Sequence, residues 1–123
     1  MAKRILIVED EPAVQLPLKT ILADGGYEML TADDGGEGLE IIRKEKPDLV
    51  ILDILLPSMN GLDVLSHMKR DEATKHIPVV ILTNVDRKEE IERARSLGAI
   101  DYLTKSTTQL KDVKRKVAKY LEE

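Results

Sequence analysis

Asp53 stands inside an otherwise apolar stretch, Leu49-Val50-Ile51-Leu52-Asp53-Ile54-Leu55-Leu56. An ionised carboxylate half-buried among such neighbours is unfavourable unless it is paired or metal-bound. Glu9, Asp10 and Glu11 follow the apolar run Ile5–Val8, Thr83 closes Val79–Leu82, and Thr104 and Lys105 close Ile100–Leu103. Crowded carboxylates repel one another, and a hard cation with oxygen ligands, such as Mg2+, relieves that repulsion. A phosphoryl group arriving on Asp53 brings further negative oxygens. The cation and the Lys105 ammonium can neutralise them, and the Thr83 hydroxyl can donate a hydrogen bond. Each residue alone has a plainer role: Asp53 as a turn cap before Pro57, Thr83 as a structural strand end, Lys105 as a solvated cation. Their order on successive strand ends is what points to phosphoryl transfer onto a carboxylate.

Such a set needs elements that bring it together. Short apolar runs alternate with longer amphipathic stretches along the chain: Ile5–Val8, Tyr27–Thr31, Leu49–Leu52, Val79–Thr83 and Ile100–Leu103 read as strands. Three of them, ILIV, LVIL and VVIL, are apolar without alternation, the pattern of parallel strands covered on both faces. A β-α-β-α succession implies an α/β fold, with a parallel sheet, right-handed crossovers and helices on both sides. Polar residues at the carboxyl ends of such strands share one edge of the sheet, where ligands bind.

Helix boundaries follow from capping chemistry. Asp34 with Glu37, Asp86 with Glu89, and Ser106 with Gln109 have capping-box spacing. Pro12 suits a first helical position, and Asn60 suits the cap of a helix beginning at Gly61. Gly25-Gly26 and Gly98 are natural stops. The last helix is expected from about Thr107 to the chain end, with Val113, Val117 and Leu121 forming its inward stripe. Pro17 should kink or shorten the first helix. One domain over residues 1–123 is expected.

The 123 residues suffice for one core, 42% hydrophobic and 34% charged, with three Tyr as the only aromatics. Aromatic stacking platforms for nucleic acid are nearly absent, and a net charge of -4 gives no attraction for polyanions, so no direct nucleic-acid partner is expected. Absent cysteine excludes disulfides, thiolate metal sites and cysteine catalysis. The basic start Met1-Ala2-Lys3-Arg4 leads into too short an apolar run for a signal peptide or membrane span, so a soluble, cytoplasmic protein is expected. His67 and His76 suit no metal motif and read as surface or packing residues.

With Glu9-Asp10 after the first strand, Asp53 followed by Pro57, Asn60-Gly61, Thr83, Tyr102 and Lys105, the chain resembles the bacterial response-regulator receiver family along its whole length. That resemblance implies a flavodoxin-like doubly wound (βα)5 sandwich, its five-stranded parallel sheet in the order 2-1-3-4-5. It implies transfer of a phosphoryl group to Asp53 from a phosphohistidine on a sensor histidine kinase or phosphotransfer protein. Asp10 and Asp53 would ligate Mg2+ directly, Glu9 through water, and Leu55 through its backbone carbonyl. Thr83 would swing to the phosphoryl group and Tyr102 would turn inward behind it, reshaping the surface of the fourth helix, fifth strand and fifth helix for a downstream protein target. Any phosphorylation-dependent homodimer face would lie on the fourth and fifth helices. The domain would act as a signalling receiver rather than an enzyme, catalysing only its own phosphorylation and dephosphorylation.

Two positions depart from the family pattern. Asn84 follows Thr83 where Ala or Gly is usual, and is expected to narrow the approach of a phosphodonor. Ser106 follows Lys105 where Pro with a cis bond is frequent; a cis bond to Ser costs about 3 kcal/mol, so a trans bond or a rearranged loop is expected. The apolar side chains of Leu55 and Val85 hold no water behind phosphorus, which implies slow self-dephosphorylation. Other classes fit less well. A dehalogenase-type phosphatase needs a second Asp where Leu55 stands, and a flavodoxin-like cofactor binder needs a phosphate-cradling loop where Glu9-Asp10-Glu11 would repel phosphate. A degenerate receiver used as a scaffold is countered by intact Asp10, Asp53, Thr83 and Lys105.

Overall fold

The computed structural model describes residues 2–122; Met1 of the basic start and Glu123 at the expected end of the last helix lie outside the described residues. Ten elements alternate: β1 Arg4–Val8, α1 Pro12–Asp24, β2 Glu28–Ala32, α2 Gly35–Glu45, β3 Leu49–Leu52, α3 Gly61–Arg70, β4 Val79–Thr83, α4 Lys88–Ser96, β5 Asp101–Thr104 and α5 Leu110–Leu121. The strands form one parallel sheet in the order β2-β1-β3-β4-β5, as expected.

Alternate residues of the unbroken apolar strands feed two cores. Leu6, Val8, Val50, Leu52, Val79 and Ile81 pack on one side with Ile42, Leu65 and Met68 of α2 and α3. Ile5, Ile7, Leu49, Ile51 and Val80 pack on the other with Leu18 and Leu22 of α1 and Val113 and Val117 of α5. This two-sided burial is why β1, β3 and β4 carry no polar alternation until they reach the edge.

Several boundaries differ from expectation for local reasons. β2 begins at Glu28 rather than Tyr27, because the Tyr27 N–H still bonds to Leu22 O at the end of α1, while the Glu28 N–H opens the ladder on Lys3 O. β5 runs one residue later, Asp101–Thr104, in register with Val80–Thr83. Asn60 caps α3 through the Leu62 N–H, and Asp34 caps α2 through the Glu37 N–H, both at 2.8 Å. Glu37 reaches back to the Asp33 N–H, one residue beyond the expected reciprocal bond.

The other two expected boxes are not made. α4 starts after Arg87 and α5 after Gln109, neither with a side-chain cap. Ser106 lies three residues ahead of the observed cap position, and its N–H bonds instead to Asn84 in the β4–α4 loop. A turn closed by Thr107 N–H on Thr104 O then delays the helix to Leu110. Pro17 does not shorten α1: the helix runs 13 residues through it. Pro17 sits on the exposed face, where water can take the place of the N–H donor that proline lacks, and the buried Leu18 and Leu22 hold the helix down.

Candidate functional site: an acidic cleft at the carboxyl edge

Four strand ends build the site. β1 delivers Glu9 and Asp10, β3 delivers Asp53, and β4 and β5 deliver Thr83 and Lys105. With Glu11, Leu55 and Asn84, four of these residues, Asp10, Asp53, Thr83 and Lys105, line a cleft of about 320 Å³, while Glu9 is buried beside them. Asp53 is held there by the Asp53 N–H bond to Val8 O and by close packing of α3, whose Gly61 N–H bonds to Ile54 O at 2.8 Å.

Glu9 is 3% exposed, Asp53 4% and Thr83 0%, whereas Asp10 faces solvent. One carboxylate oxygen from each of Glu9, Asp10 and Asp53 lies within 4.8 Å of the others. The Lys105 ammonium stands among the acids, 2.8 Å from Asp53 Oδ2, 2.7 Å from Glu9 Oε1 and 2.9 Å from Glu11 Oε1. The second oxygens of the two buried acids are also engaged, Asp53 Oδ1 by the Ile54 N–H and Glu9 Oε2 by the Glu11 N–H.

Burial pushes the Glu9 carboxyl above the ordinary carboxylate range, and the Lys105 hydrogen bond offsets only part of that rise. For Lys105 burial works against the charged form, but the bonds to Asp53, Glu9 and Glu11 together outweigh it and hold the ammonium above its usual value. Lys105 is therefore a fixed positive charge near neutral pH, aimed at Asp53 Oδ2.

The Lys105–Ser106 bond is trans, since no cis peptide occurs among the described residues. The ammonium nonetheless reaches Asp53, so the Ser106 departure leaves it in the site. Thr83 and Tyr102 meet on Val85: the Val85 N–H donates to Thr83 Oγ1 at 3.4 Å, and the Tyr102 hydroxyl donates to Val85 O at 2.5 Å. Burial, then the nearby carboxylates of Glu90, Asp86 and Asp53, raise the Tyr102 phenol above its usual value, so it remains a proton donor. Val85 packs toward the core beside Tyr102, while the Leu55 side chain is 63% exposed at the cleft. Asn84 lines the cleft as expected, but its Oδ1 is occupied by the Ser106 N–H at 3.1 Å.

Sequence reading did not anticipate that bond, nor the Glu11 ion pair, nor Gln15, whose amide donates to Glu9 O at 2.8 Å and to Asp33 Oδ1 at 3.1 Å. Glu11 carried a signal as the third acid of the run; Gln15 and the Asn84–Ser106 pair carried none.

A five-stranded parallel sheet in this order, with an acidic pocket and a lysine at its carboxyl edge, defines a phospho-acceptor class of signalling domain. The chain belongs to that class: the response regulator receiver domain family matches residues 5–117. Among curated proteins it is similar to the Pseudomonas aeruginosa protein PilH, 40% identical over 102 residues, covering 83% of this chain and 84% of PilH. Several other relatives are matched over about half their length, for example 49% of the Mycobacterium tuberculosis regulator PdtaR at 41% identity. A CheY-like receiver structure from Methanospirillum hungatei superposes with a TM-score of 0.92 at 31% identity, covering 99% of this chain and 95% of that one. The phosphorylated cyanobacterial phytochrome response regulator RcpA superposes with a TM-score of 0.87 at 30% identity, covering 98% and 94%. The protein is thus a receiver domain of two-component systems, a signalling family whose members interact with kinases and downstream targets. No helix among the described residues is long and apolar enough to cross a membrane.

Proposed function

We propose that Asp53 is the phospho-acceptor, that Glu9, Asp10, Asp53 and the Leu55 carbonyl hold Mg2+, and that Thr83 and Lys105 bind the arriving phosphoryl oxygens. The observation that carries this is the buried Asp53 carboxylate, 2.8 Å from the Lys105 ammonium with two further carboxylates beside it. A carboxylate oxygen of Asp53 attacks phosphorus of a phosphohistidine, the P–N bond breaks, and the imidazole leaves with the electron pair. Lys105 follows the charge from the carboxylate to the phosphoryl oxygens, a short movement for a side chain already in place. The all-oxygen donor set fits a hard cation, which when bound supplies charge neutralisation at the same oxygens.

Thr83 borders the cleft, and Val85 joins it to Tyr102, so movement of the Thr83 hydroxyl toward a phosphoryl group would alter the turn that Tyr102 holds. This supports Thr83 and Tyr102 as the switch, with the α4–β5–α5 face as the surface read by a downstream protein or a second receiver. The phosphoryl source is a sensor histidine kinase or phosphotransfer protein, and the setting cytoplasmic. Residues 1–123 act as one receiver unit that catalyses its own phosphorylation and dephosphorylation only.

Intact-mass spectrometry after incubation with Mg2+ and acetyl phosphate tests the acceptor. One added phosphoryl group, absent in Asp53→Asn, is expected. An adduct that survives Asp53→Asn assigns the acceptor elsewhere. No adduct from acetyl phosphate or from a phosphohistidine donor, with the fold intact, makes the domain a scaffold.

A further inference from the structure

Two successive backbone donors leave the end of β5 toward the β4–α4 loop. The Lys105 N–H bonds to Thr83 O at 2.9 Å, extending the ladder beyond the Thr83–Thr104 pair. The next donor, the Ser106 N–H, bonds to the side-chain Oδ1 of Asn84 at 3.1 Å. An Asn side chain carries the same amide as a peptide unit, so Asn84 serves here as a surrogate backbone carbonyl past the strand end. Both peptide N–H groups that flank Lys105 are thereby tied to the segment after Thr83. The ammonium held by that segment is the one that spans Glu9, Glu11 and Asp53.

The bond needs both residues. Proline at position 106 has no N–H, and alanine or glycine at position 84 has no acceptor. Resting on the phospho-acceptor reading, we propose that Asn84 is a positioning residue: through the Ser106 N–H it holds the loop that sets Lys105 at Asp53. A side chain that served only as a wall of the cleft would make the opposite prediction, because trimming it widens the entrance.

The test compares the parent with Asn84→Ala, Ser106→Ala, Ser106→Pro and the Asn84→Ala/Ser106→Pro double variant. Two quantities are read: the rate of phosphorylation by acetyl phosphate with Mg2+, and the 15N resonance of the Lys105 ammonium without donor. Asn84→Ala and Ser106→Pro should each slow phosphorylation about three- to tenfold, the scale of one net hydrogen bond, and broaden the Lys105 resonance. The double variant should be no slower than the slower single one, since both delete the same bond. Ser106→Ala keeps the N–H and should behave as the parent. A faster Asn84→Ala, additive losses, or a Ser106→Ala as slow as Ser106→Pro overturns the proposal. If the parent takes no phosphoryl group from acetyl phosphate or from a phosphohistidine donor, the acceptor reading fails by itself. A Lys105 resonance unchanged by Asn84→Ala then overturns the positioning role, and a broadened one upholds it.

Discussion

The hydroxyl of Tyr102 donates to the backbone carbonyl of Val85 at 2.5 Å, across from the Val85 N–H that bonds to Thr83 Oγ1. Tyr102 and Thr83 are thus joined through one residue of the β4–α4 loop. Tyr102→Phe should leave phosphorylation of Asp53 intact but weaken its transmission. Amide shifts over Lys88–Ser96 on adding the phosphoryl mimic beryllofluoride should shrink at least twofold; shifts as large as the parent's would remove Tyr102 from the switch.

Lys105 neutralises Glu9 and Asp53, two of the three carboxylates grouped closely enough to hold a cation. Lys105→Met leaves two buried carboxylates without that partner. It should lower stability by roughly 1–3 kcal/mol, less than the ~3–5 for breaking a fully buried pair because the cleft admits water. Mg2+ should then raise the melting temperature of Lys105→Met by more than that of the parent, since binding to the native state is linked to stability. Equal shifts would mean that Lys105 and the cation act on different oxygens.

Asp101 joins β5 to α5: it accepts from the Tyr120 hydroxyl and the Tyr102 N–H, and Lys116 Nζ stands 3.6 Å away. Burial alone would raise Asp101; the Tyr120 bond, the Tyr102 N–H and Lys116 outweigh it, and the carboxyl lies below its usual range. The hydrogen bond to Asp101, then burial, pushes the Tyr120 phenol up to about 12. A depressed carboxyl contributes stability above its unfolded pKa that is lost as pH falls through the folded one. A raised phenol contributes below its unfolded pKa and loses that contribution as pH rises through about 12. Tyr120→Phe should therefore lower the melting temperature at pH 7 and shift the acid unfolding midpoint to higher pH. An unchanged acid midpoint would show that Lys116 and the Tyr102 N–H suffice.

A Cβ at Gly61 would stand 1.9 Å from the backbone oxygen of Asp53. α3 is packed directly on the Asp53 peptide, and only glycine permits that approach. Gly61→Ala should cost about 1–3 kcal/mol, as overpacking does, and slow phosphorylation by displacing Asp53. Chemical denaturation and the acetyl phosphate assay check both; full stability with normal phosphorylation would mean that the α3 start shifts freely.

Leu55 is the exposed apolar side chain at the cleft, while Val85 turns toward Tyr102 and the core. Slow hydrolysis of the aspartyl phosphate is expected, with Leu55 its principal cause. Leu55→Asn, able to hydrogen-bond a water, should shorten the phosphoryl lifetime several-fold. Loss of phosphate from the parent within seconds under physiological Mg2+ would overturn the expectation.

The alternation of apolar runs and amphipathic stretches was legible residue by residue, because burial on both faces of a parallel strand forbids polar positions within it. Once that succession was read, the rule that strands deliver their carboxyl ends to one edge brought Glu9, Asp10, Asp53, Thr83 and Lys105 together without coordinates. Strand ends at Glu28 and Thr104, and the late start of α5, were misread by one to three residues, because each depends on a bond to another element. Asp86 and Ser106 look like caps by spacing alone, yet neither caps its helix, and Ser106 has its donor taken by Asn84, 22 residues away in the chain. Residue types and order along the chain thus determined the sheet and its acidic edge. The β4–β5 register decided what touches across that edge: Ser106 on Asn84, Tyr102 on Val85, and one ammonium shared by three carboxylates. Contacts between strand ends far apart in sequence leave no local periodicity to read, so only the folded chain reveals them.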